Sequence, residues 1–403
     1  MKSNRSIKVL LILICFLGIG VYVFGQDKKL TILHGPYLQY PTDTSITIVW
    51  FTNKNCVSKV EYILDEGLPF NSSKTITVQN SRHGLIDAST NRQKIRIGDL
   101  EPGRKYKYRI FSKEILKFKP YKVTYGDSIV YPNDEKETFH FQTLDPFKNK
   151  FSFVVINDIH EHAEKLDTML NTISWDSTDL IFFNGDMIDH FESLIQIFDK
   201  FLDVCVRRFA SEIPICYVRG NHEARGVLAR TLINYFPTET GKFYRTFIHG
   251  PVCFVILDSG EDKPDSHWAY SGLTDFDSYR LEQSYWLKNV IQSDPFRKAK
   301  FKIVLMHIPP FGGNGWYGEM QLRKLFVPLF NEGEIDLLIC GHTHRYKHIE
   351  SFKFKNNFPV IINGANTVLT TNVLEDQLKI TITKKNGKIR DVIFYQQQFF
   401  LHD

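Results

Sequence analysis

Five short clusters of polar residues, each directly after an apolar run, constrain the fold of this 403-residue chain more than any other feature. The clusters contain aspartate, asparagine and histidine but no cysteine, which suits a hard or borderline divalent metal such as manganese, iron or zinc. The set is too large for one ion and about right for two. In chain order, the clusters are Asp158-Ile-His160, Gly185-Asp186-Met-Ile-Asp189, Gly220-Asn221-His222-Glu223, His307 and Gly341-His342-Thr-His344.

The apolar runs before these clusters have the length and composition of strands that are buried on both faces. Polar stretches of helical character, such as Ser278–Gln292, lie between several of them, and this alternation predicts a mainly parallel sheet with helices on both faces. Ligands gather at the carboxyl ends of such strands, so the clusters are expected to meet in space. The predicted strands are Phe151–Ile156, Leu180–Phe183, Ile213–Val218, Phe301–Met306 and Ile335–Ile339.

In this order the clusters resemble the sequence blocks of the calcineurin-like metallophosphoesterase superfamily. Those blocks read D-x-H, G-D-x-x-D, G-N-H-E, a lone histidine after a strand, and G-H-x-H, and all five occur here between residues 158 and 344. The resemblance implies an α/β fold in which a sandwich of two β-sheets is flanked by helices. It also implies hydrolysis of phosphate esters with two divalent metal ions as cofactors.

The resemblance further assigns a role to each cluster. Asp186 would bridge the two ions, which would share a hydroxide as the nucleophile and clamp the attacking and leaving oxygens. His222 would be a non-ligand that donates a proton to the leaving oxygen, and the carboxylate of Asp189 would orient it and raise its pKa. The implied ligands are Asp158, His160 and His344 for one ion and Asn221, His307 and His342 for the other.

Three further residues are candidates for substrate contacts. Arg225 could hold a phosphate as a bidentate partner, or it could be solvated. The glycines and prolines of His307–Gly318 predict a loop at the mouth of the site. Trp316 and Tyr317 in that loop could stack on the organic group of a substrate or simply anchor the loop, and the sequence leaves both alternatives open.

Residues 30–144 have a different character and predict a separate β-sandwich. Ser45–Phe51 and Lys105–Ile110 alternate with a period of two, which indicates half-buried antiparallel strands. Leu100–Gly103 followed by Tyr106 resembles a corner of fibronectin type III modules. Such a sandwich ahead of a phosphoesterase domain, here predicted at 150–403, resembles the layout of purple acid phosphatases. Near the end of the chain, Asn386-Gly387 between alternating runs predicts a hairpin.

Two positions depart from the purple acid phosphatases. That branch has a tyrosine at the end of the second block, bound to ferric iron, where this chain has Asp189, and it lacks the first-block histidine that is present here as His160. We therefore expect a protein without the purple colour. The identity of the metals and the pH optimum stay open.

Residues 1–25 resemble a cleavable signal peptide, which predicts a secreted, periplasmic or cell-surface protein. Three basic residues precede the apolar run Val9–Phe24, and an uncleaved membrane anchor is the alternative. Removal of this segment takes away three positive charges and no acidic residue, so the net charge falls from +5 to +2. A chain so close to neutral gives no reason to expect nucleic-acid binding.

The leading hypothesis is an exported phosphoesterase that hydrolyses phosphomonoesters of small molecules or proteins. A phosphodiesterase with the same metal site is the first alternative. A non-catalytic binding protein on the cell surface is the second, although the complete set of ligand blocks argues against an inert scaffold. The sequence does not indicate an oligomeric state.

Overall fold

The computed structural model describes residues 29–134 and 137–396, so the predicted signal segment 1–25 lies outside the described part of the chain. None of the described helices is long and apolar enough to cross a bilayer. The α-helices are α1 Ala163–Leu170, α2 Leu194–Ile197, α3 Asp203–Val206, α4 Phe276–Gln292, α5 Asp294–Lys298, α6 Tyr317–Leu325 and α7 Val327–Glu332.

The first nine strands belong to the N-terminal sandwich region. They are β1 Ile32–Gln39, β2 Ile46–Leu64, β3 Ile76–Val78, β4 Ser81–Arg82, β5 Leu85–Ile86, β6 Thr90–Ile97, β7 Lys105–Lys119, β8 Lys122–Tyr131 and β9 Phe139–Gln142. Of these, β4 and β5 form a separate two-stranded sheet. The core of the sandwich includes Trp50, Tyr108 and Phe141. The predicted corner is present, because the hydroxyl of Tyr106 accepts a hydrogen bond from the backbone N–H of Glu101 at 2.9 Å.

The remaining strands build two sheets that pack face to face. The first runs β21-β20-β19-β10-β11-β12, and the second runs β13-β14-β15-β16-β18-β17. The strands are β10 Phe151–Ile156, β11 Leu180–Asn184, β12 Ile215–Val218, β13 Arg245–His249, β14 Val252–Ile256, β15 Phe301–Leu305, β16 Leu337–Cys340, β17 Lys347–Ile349, β18 Val360–Ile362, β19 Thr367–Val373, β20 Gln377–Lys384 and β21 Ile389–Gln396. The predicted C-terminal hairpin is therefore present as β20–β21.

One apolar core lies between the two sheets, and two more lie on their outer faces. Phe153, Phe182 and Phe254 belong to the inner core. Buried residues of α1–α3 cover the first sheet, and buried residues of α4–α7 cover the second. The sandwich flanked by helices is thus confirmed, whereas the prediction of one parallel sheet with helices on both faces is wrong. Each sheet packs against helices on one face and against the other sheet on its opposite face. Both faces of its strands are therefore buried, as the apolar runs predicted.

The N-terminal sandwich is joined to the first sheet. β1 pairs with β12 in parallel through Gln39 and Ile215, and the Tyr37 hydroxyl donates to the carbonyl of Tyr235 at 2.8 Å. The prediction of a half-buried strand at residues 45–51 is therefore wrong: Trp50 packs in the sandwich core, while Phe51 on the other face packs in the core beside α1–α3. The domain limits 30–144 and 150–403 stay predictions.

Candidate metal centre

Five strands place the polar clusters at one rim of the two-sheet sandwich. The clusters follow the carboxyl ends of β10, β11 and β12 in the first sheet and of β15 and β16 in the second. Within each sheet these strands are parallel neighbours, so their ends point the same way. The rim therefore brings together residues that lie as far as 186 positions apart in the chain, from Asp158 to His344.

The first group of ligand atoms comes from Asp158, His160 and His344. Nε2 of His160 lies 3.1 Å from Nε2 of His344, which lies 3.5 Å from Oδ1 of Asp158. Ligand atoms that surround a small divalent ion with bonds of about 2.1 Å are separated by roughly 3.0–3.4 Å. The third separation, between Nε2 of His160 and Oδ1 of Asp158, is 3.9 Å, so the three atoms lie close enough together to hold one ion.

The second group comes from Asp186, Asn221, His307 and His342. Nε2 of His307 lies 2.9 Å from Oδ2 of Asp186, and Nδ1 of His342 lies 3.0 Å from Oδ1 of Asn221. Oδ2 of Asp186 also lies 4.0 Å from Nε2 of His160 in the first group. Asp186 is thus the carboxylate that reaches both groups, in the position that a bridging ligand requires.

The backbone at these ligands is in an uncommon conformation. Asp158, His160, Asp186, His342 and His344 all have a positive φ, between 52° and 70°. Such left-handed residues cost about 1–3 kcal/mol each and persist where the surrounding structure enforces them, often at functional sites. The tight turns they form aim consecutive side chains of one block at the same point.

Two block glycines keep space for the ligands. A Cβ at Gly185, where φ is +84°, would lie 2.4 Å from Nδ1 of His307. A Cβ at Gly220 would lie 2.2 Å from Oδ1 of Asp186. Any side chain at either position would displace a ligand, which explains why the blocks begin with glycine.

Hydrogen bonds on the far side of two imidazole rings fix which nitrogen faces the centre. The Nδ1–H of His307 donates to the carbonyl of Asn184 at 2.7 Å, and the Nδ1–H of His160 donates to Oδ1 of Asp189 at 2.7 Å. Each bond assigns Nδ1 as the protonated nitrogen of the neutral ring, so Nε2 is the nitrogen that would bind a metal, which is the usual arrangement around protein metal sites.

Glu223 ties two blocks together and is not itself directed at the ligands. Its carboxylate is fully buried and accepts N–H bonds from Met187 at 2.6 Å and from Asp186 and Gly220 at 3.0 Å. Burial, reinforced by the nearby Asp186 carboxylate, raises the pKa of Glu223 to about 7. The fourth residue of the G-N-H-E block thus positions the backbone of Asp186.

The residues present fit divalent metal ions. Oδ1 of Asp158 and Nε2 of His342 are buried and have no hydrogen-bond partner within residues 29–134 and 137–396, and the buried Nε2 of His307 faces the Asp186 carboxylate. Burial of His342, with His307 nearby, lowers its pKa to about 3, so its ring is neutral as a ligand must be. Burial opposes a charge on His307, but the Asp186 carboxylate outweighs it and raises the pKa of His307 to about 10. A bound cation would satisfy all three atoms and displace that proton.

Asp189 does not contact His222 in the predicted way. Nδ1–H of His222 donates to the backbone carbonyl of Asp189 at 2.8 Å, whereas the Asp189 carboxylate is 4.0 Å away and instead accepts the bond from His160. The prediction that this carboxylate orients His222 is therefore wrong. The main chain of residue 189 orients His222, and its side chain orients a predicted metal ligand.

Two of the three candidate substrate residues line the cleft beside the metal ligands, and the third does not. Arg225 and the half-exposed Trp316 line a cleft of about 560 Å³ beside the metal ligands, and the Trp316 ring lies edge-on to His342 at 4.8 Å. Tyr317 begins α6, and its hydroxyl donates to the carboxylate of Asp277 at the start of α4. Tyr317 does not line the cleft. The anchoring alternative thus holds for Tyr317.

Sequence reasoning missed the residues that complete this cleft. Glu261 is buried and holds Arg225 through two hydrogen bonds of 2.7 and 2.9 Å. Lys263, Arg345 and Lys347 contribute further cations to the cleft wall. In the sequence, only their positions could have indicated these residues. Glu261 follows the end of a strand, and Arg345 and Lys347 follow the last block.

The divided role of Asp189 gives a first testable prediction. Asp189→Ala should weaken metal binding at the Asp158–His160–His344 group about 10–100-fold, because His160 loses the bond that orients it. It should change kcat at saturating metal little, since the carbonyl that holds His222 remains. Metal titrations followed by activity measure both effects, with exposed Glu192→Ala as the control. A kcat loss equal to that of His222→Ala at saturating metal would contradict the assignment.

The comparisons with known proteins agree with the blocks. Residues 151–346 match the family model of the calcineurin-like phosphoesterases. Curated relatives include purple acid phosphatase 21 of Arabidopsis thaliana, 24% identical over 66% of this chain and 55% of its own length. They also include the serine/threonine-protein phosphatase CPPED1 of Bos taurus, 27% identical over 35% of this chain and 44% of its own length. The chain spans about half the length of the curated relatives it matches.

Two solved structures share the fold across both parts of the chain. Purple acid phosphatase PPD1 from yellow lupin (Lupinus luteus) seeds superimposes with a TM-score of 0.67 at 14% identity, covering 90% of this chain and 74% of that one. PhoD superimposes with a TM-score of 0.59 at 13% identity, covering 90% of this chain and 89% of that one. The family-model match confirms the predicted resemblance to the superfamily over residues 151–346, and the two solved structures confirm the two-part fold.

Proposed function

We propose that this calcineurin-like phosphoesterase domain hydrolyses phosphomonoesters with two divalent metal ions, in a protein that is exported. The observation that carries the proposal is the position of Asp186. Its carboxylate lies between two sets of metal-ligand atoms, while Nε2 of His222 lies 3.9 Å from its Oδ2. A two-metal hydrolytic site needs ions held close enough to share a hydroxide, and a carboxylate between two sets of ligand atoms meets that need.

Residues Asp158, His160 and His344 would hold one ion, residues Asn221, His307 and His342 the other, and Asp186 both. When bound, the ions would acidify a water molecule and neutralise charge on the phosphoryl oxygens. Manganese, iron and zinc all suit these oxygen and nitrogen donors. The rest of the chemistry falls to side chains that point into the cleft.

His222 is placed to serve the leaving group. Because its Nδ1–H is held by the carbonyl of Asp189, its Nε2 faces the cleft. Nη1–H of Arg225 donates a hydrogen bond to this nitrogen at 3.1 Å, so Nε2 is the acceptor in this arrangement. When a phosphate ester draws the Arg225 guanidinium to its own oxygens, Nε2 would be free to take up a proton from the solvent and pass it to the ester oxygen as the P–O bond breaks.

Arg225 and the basic wall favour monoesters over diesters. The two bonds from Glu261 hold the Arg225 guanidinium in one orientation, and its charge is maintained because the carboxylate raises the pKa further, outweighing the effect of burial. Arg345 and Lys347 line the same cleft, as does Lys263, whose ammonium is paired with Asp262 of the cleft wall at 2.8 Å. A phosphomonoester carries about −1.5 to −2 charges at neutral pH, and a diester carries about one, so this wall favours the monoester.

The test compares p-nitrophenyl phosphate with bis-p-nitrophenyl phosphate, using the protein loaded with manganese, zinc or iron. The proposal expects faster hydrolysis of the monoester and loss of activity on chelation, restored by returning the metal. Preference for the diester would assign the same site to a phosphodiesterase. Absence of hydrolysis of either compound with two ions bound would favour the non-catalytic binding protein and contradict the proposal.

A further inference from the structure

The hairpin formed by β7 and β8 carries exposed apolar side chains at its tip. Leu116 is 50% exposed, Phe118 61%, Tyr121 102% and Tyr125 47%. Large apolar side chains scattered singly over a surface are ordinary, but four within ten residues form a patch that marks an interaction site. We call residues 115–125 the β7–β8 tip.

The strand register sorts the side chains of the β7–β8 tip onto two faces. Phe118 pairs with Val123, and Tyr125 lies two residues further along the same strand, so these three share one face. Lys119 pairs with Lys122, and Lys117 pairs with Thr124, on the opposite face. The β7–β8 tip is therefore apolar and aromatic on one face and cationic on the other.

The lysines of the cationic face lie close to one another. Like charges directly opposite on paired strands repel, and Lys119 faces Lys122 in this way. In the described ranges, none of Lys117, Lys119 and Lys122 forms an ion pair. An external anionic partner would relieve this repulsion.

The base of the hairpin is firmly held, so the β7–β8 tip has a fixed orientation. Buried Glu114 forms an ion pair with Lys54 at 2.9 Å and accepts the N–H of Asp127. A Cβ at Gly126 would lie 2.5 Å from the Glu114 carboxylate, so the glycine permits the strands to close on it. These contacts position the backbone of the β7–β8 tip before any partner binds.

The described chain begins beside this base. The side-chain amide of Asn53 donates to the carbonyl of Lys29 at 2.9 Å, and Lys54 is the next residue along β2. Lys29 therefore lies at the same end of the sandwich as the base of the hairpin. The apolar run Val9–Phe24 precedes Lys29 by only a few residues in the sequence.

We propose that the β7–β8 tip docks on the surface of an anionic lipid bilayer. Aromatic rings such as Phe118 and Tyr121 would enter the interface, where aromatic side chains are favoured. The lysines would lie at the level of the lipid phosphates, to which a basic cluster is attracted. None of the tip residues lines the metal cleft, so this docking does not depend on the proposed hydrolysis.

Sedimentation with lipid vesicles tests the proposal. Both the full chain and the chain starting at Gln26, which keeps every residue of the four apolar cores, are mixed with phosphatidylcholine vesicles with or without phosphatidylglycerol. The chain from Gln26 should bind the anionic vesicles only, with an affinity that falls as salt is added. Phe118→Ser with Tyr121→Ser should reduce the bound fraction at least about tenfold, and so should Lys119→Glu with Lys122→Glu.

Phe352→Ser with Lys353→Glu is the matched control, since it changes an exposed aromatic and a lysine in another loop and should not alter binding. Unchanged circular dichroism establishes that each variant is folded. Failure of the chain from Gln26 to bind anionic vesicles would overturn the proposal. The proposal would also be overturned if only the lysine variant lost binding. The surface would then bind anions by charge alone, as a site for soluble polyanions does.

Discussion

Replacing His222 with alanine is expected to lower kcat about 10²–10⁴-fold while leaving two metal ions bound. His222 lies in the cleft with its Nδ1–H held by a backbone carbonyl and its Nε2 directed at the space beside Asp186. The seven predicted ligands do not include it, so the metal groups should survive its removal. Metal analysis beside kinetics separates the two effects. Equal loss of metal and activity would mean that His222 is a ligand or a structural residue.

The effect of His222→Ala should depend on the leaving group. Nitrophenolate leaves without needing a proton, whereas an alkoxide needs one, so a proton donor matters far more for an alkyl phosphate than for p-nitrophenyl phosphate. His190→Ala is the control, because His190 is an exposed histidine close to the same block. The same loss of kcat for both substrates would contradict the role as a proton donor.

Asp186→Asn is expected to produce the largest loss, about 10³-fold or more in kcat, together with a fall in bound metal from two ions to at most one. Metal ions contribute several kcal/mol to stabilisation of the transition state, which corresponds to this range. The Asp186 carboxylate is 1% exposed and lies within 4.0 Å of both ligand groups. An amide keeps the shape but loses the charge that two cations require.

The same substitution has a second readout in the metal-free protein. Burial opposes ionisation of Asp186, but His307 outweighs it and lowers the pKa of Asp186 well below its usual range, while Asp186 raises that of His307 to about 10. The stabilising effect of Asp186 is present above its unfolded pKa of about 3.9, and that of His307 is complete below its unfolded pKa of about 6.5. The difference in unfolding temperature between wild type and Asp186→Asn should therefore be greatest between these values.

That difference should shrink as the pH rises through the folded pKa of His307 and as it falls through the folded pKa of Asp186. Thermal unfolding of chelator-treated protein over a pH series measures it. Asp176→Asn, an exposed carboxylate outside the centre, is the control and should show no such window. A difference that is constant with pH would contradict the ion pair between Asp186 and His307.

The parts of the fold that local sequence determines were predictable. Phe151–Ile156 and the hairpin around Asn386-Gly387 match the structure, and the other four strands agree to within two residues at each end. Uninterrupted apolar runs and turn residues specify such elements without reference to the rest of the chain. The ligands were predictable for a related reason. A cluster that follows a strand lies at the carboxyl edge of the sheet, where ligands gather.

The parts that depend on pairing between distant segments were not predictable. A buried strand does not indicate which sheet it joins, so β15 and β16 were expected beside β10–β12 and lie instead in a second sheet. The choice at Asp189 was also hidden, since its backbone and side chain offer acceptors about equally close to two histidines. The contact between Arg225 and Glu261 joins loops 36 residues apart, and no local pattern indicates it.

The most direct test of the two-metal account is a calorimetric titration of the metal-free protein with manganese or zinc, with bound metal measured by elemental analysis. The account predicts saturation at two ions per chain. It also predicts release of protons on binding, because His307 is protonated in the metal-free protein and must become neutral to act as a ligand. Repeating the titration in buffers with different heats of ionisation measures the protons. Saturation at one ion, or binding without proton release, would contradict the account.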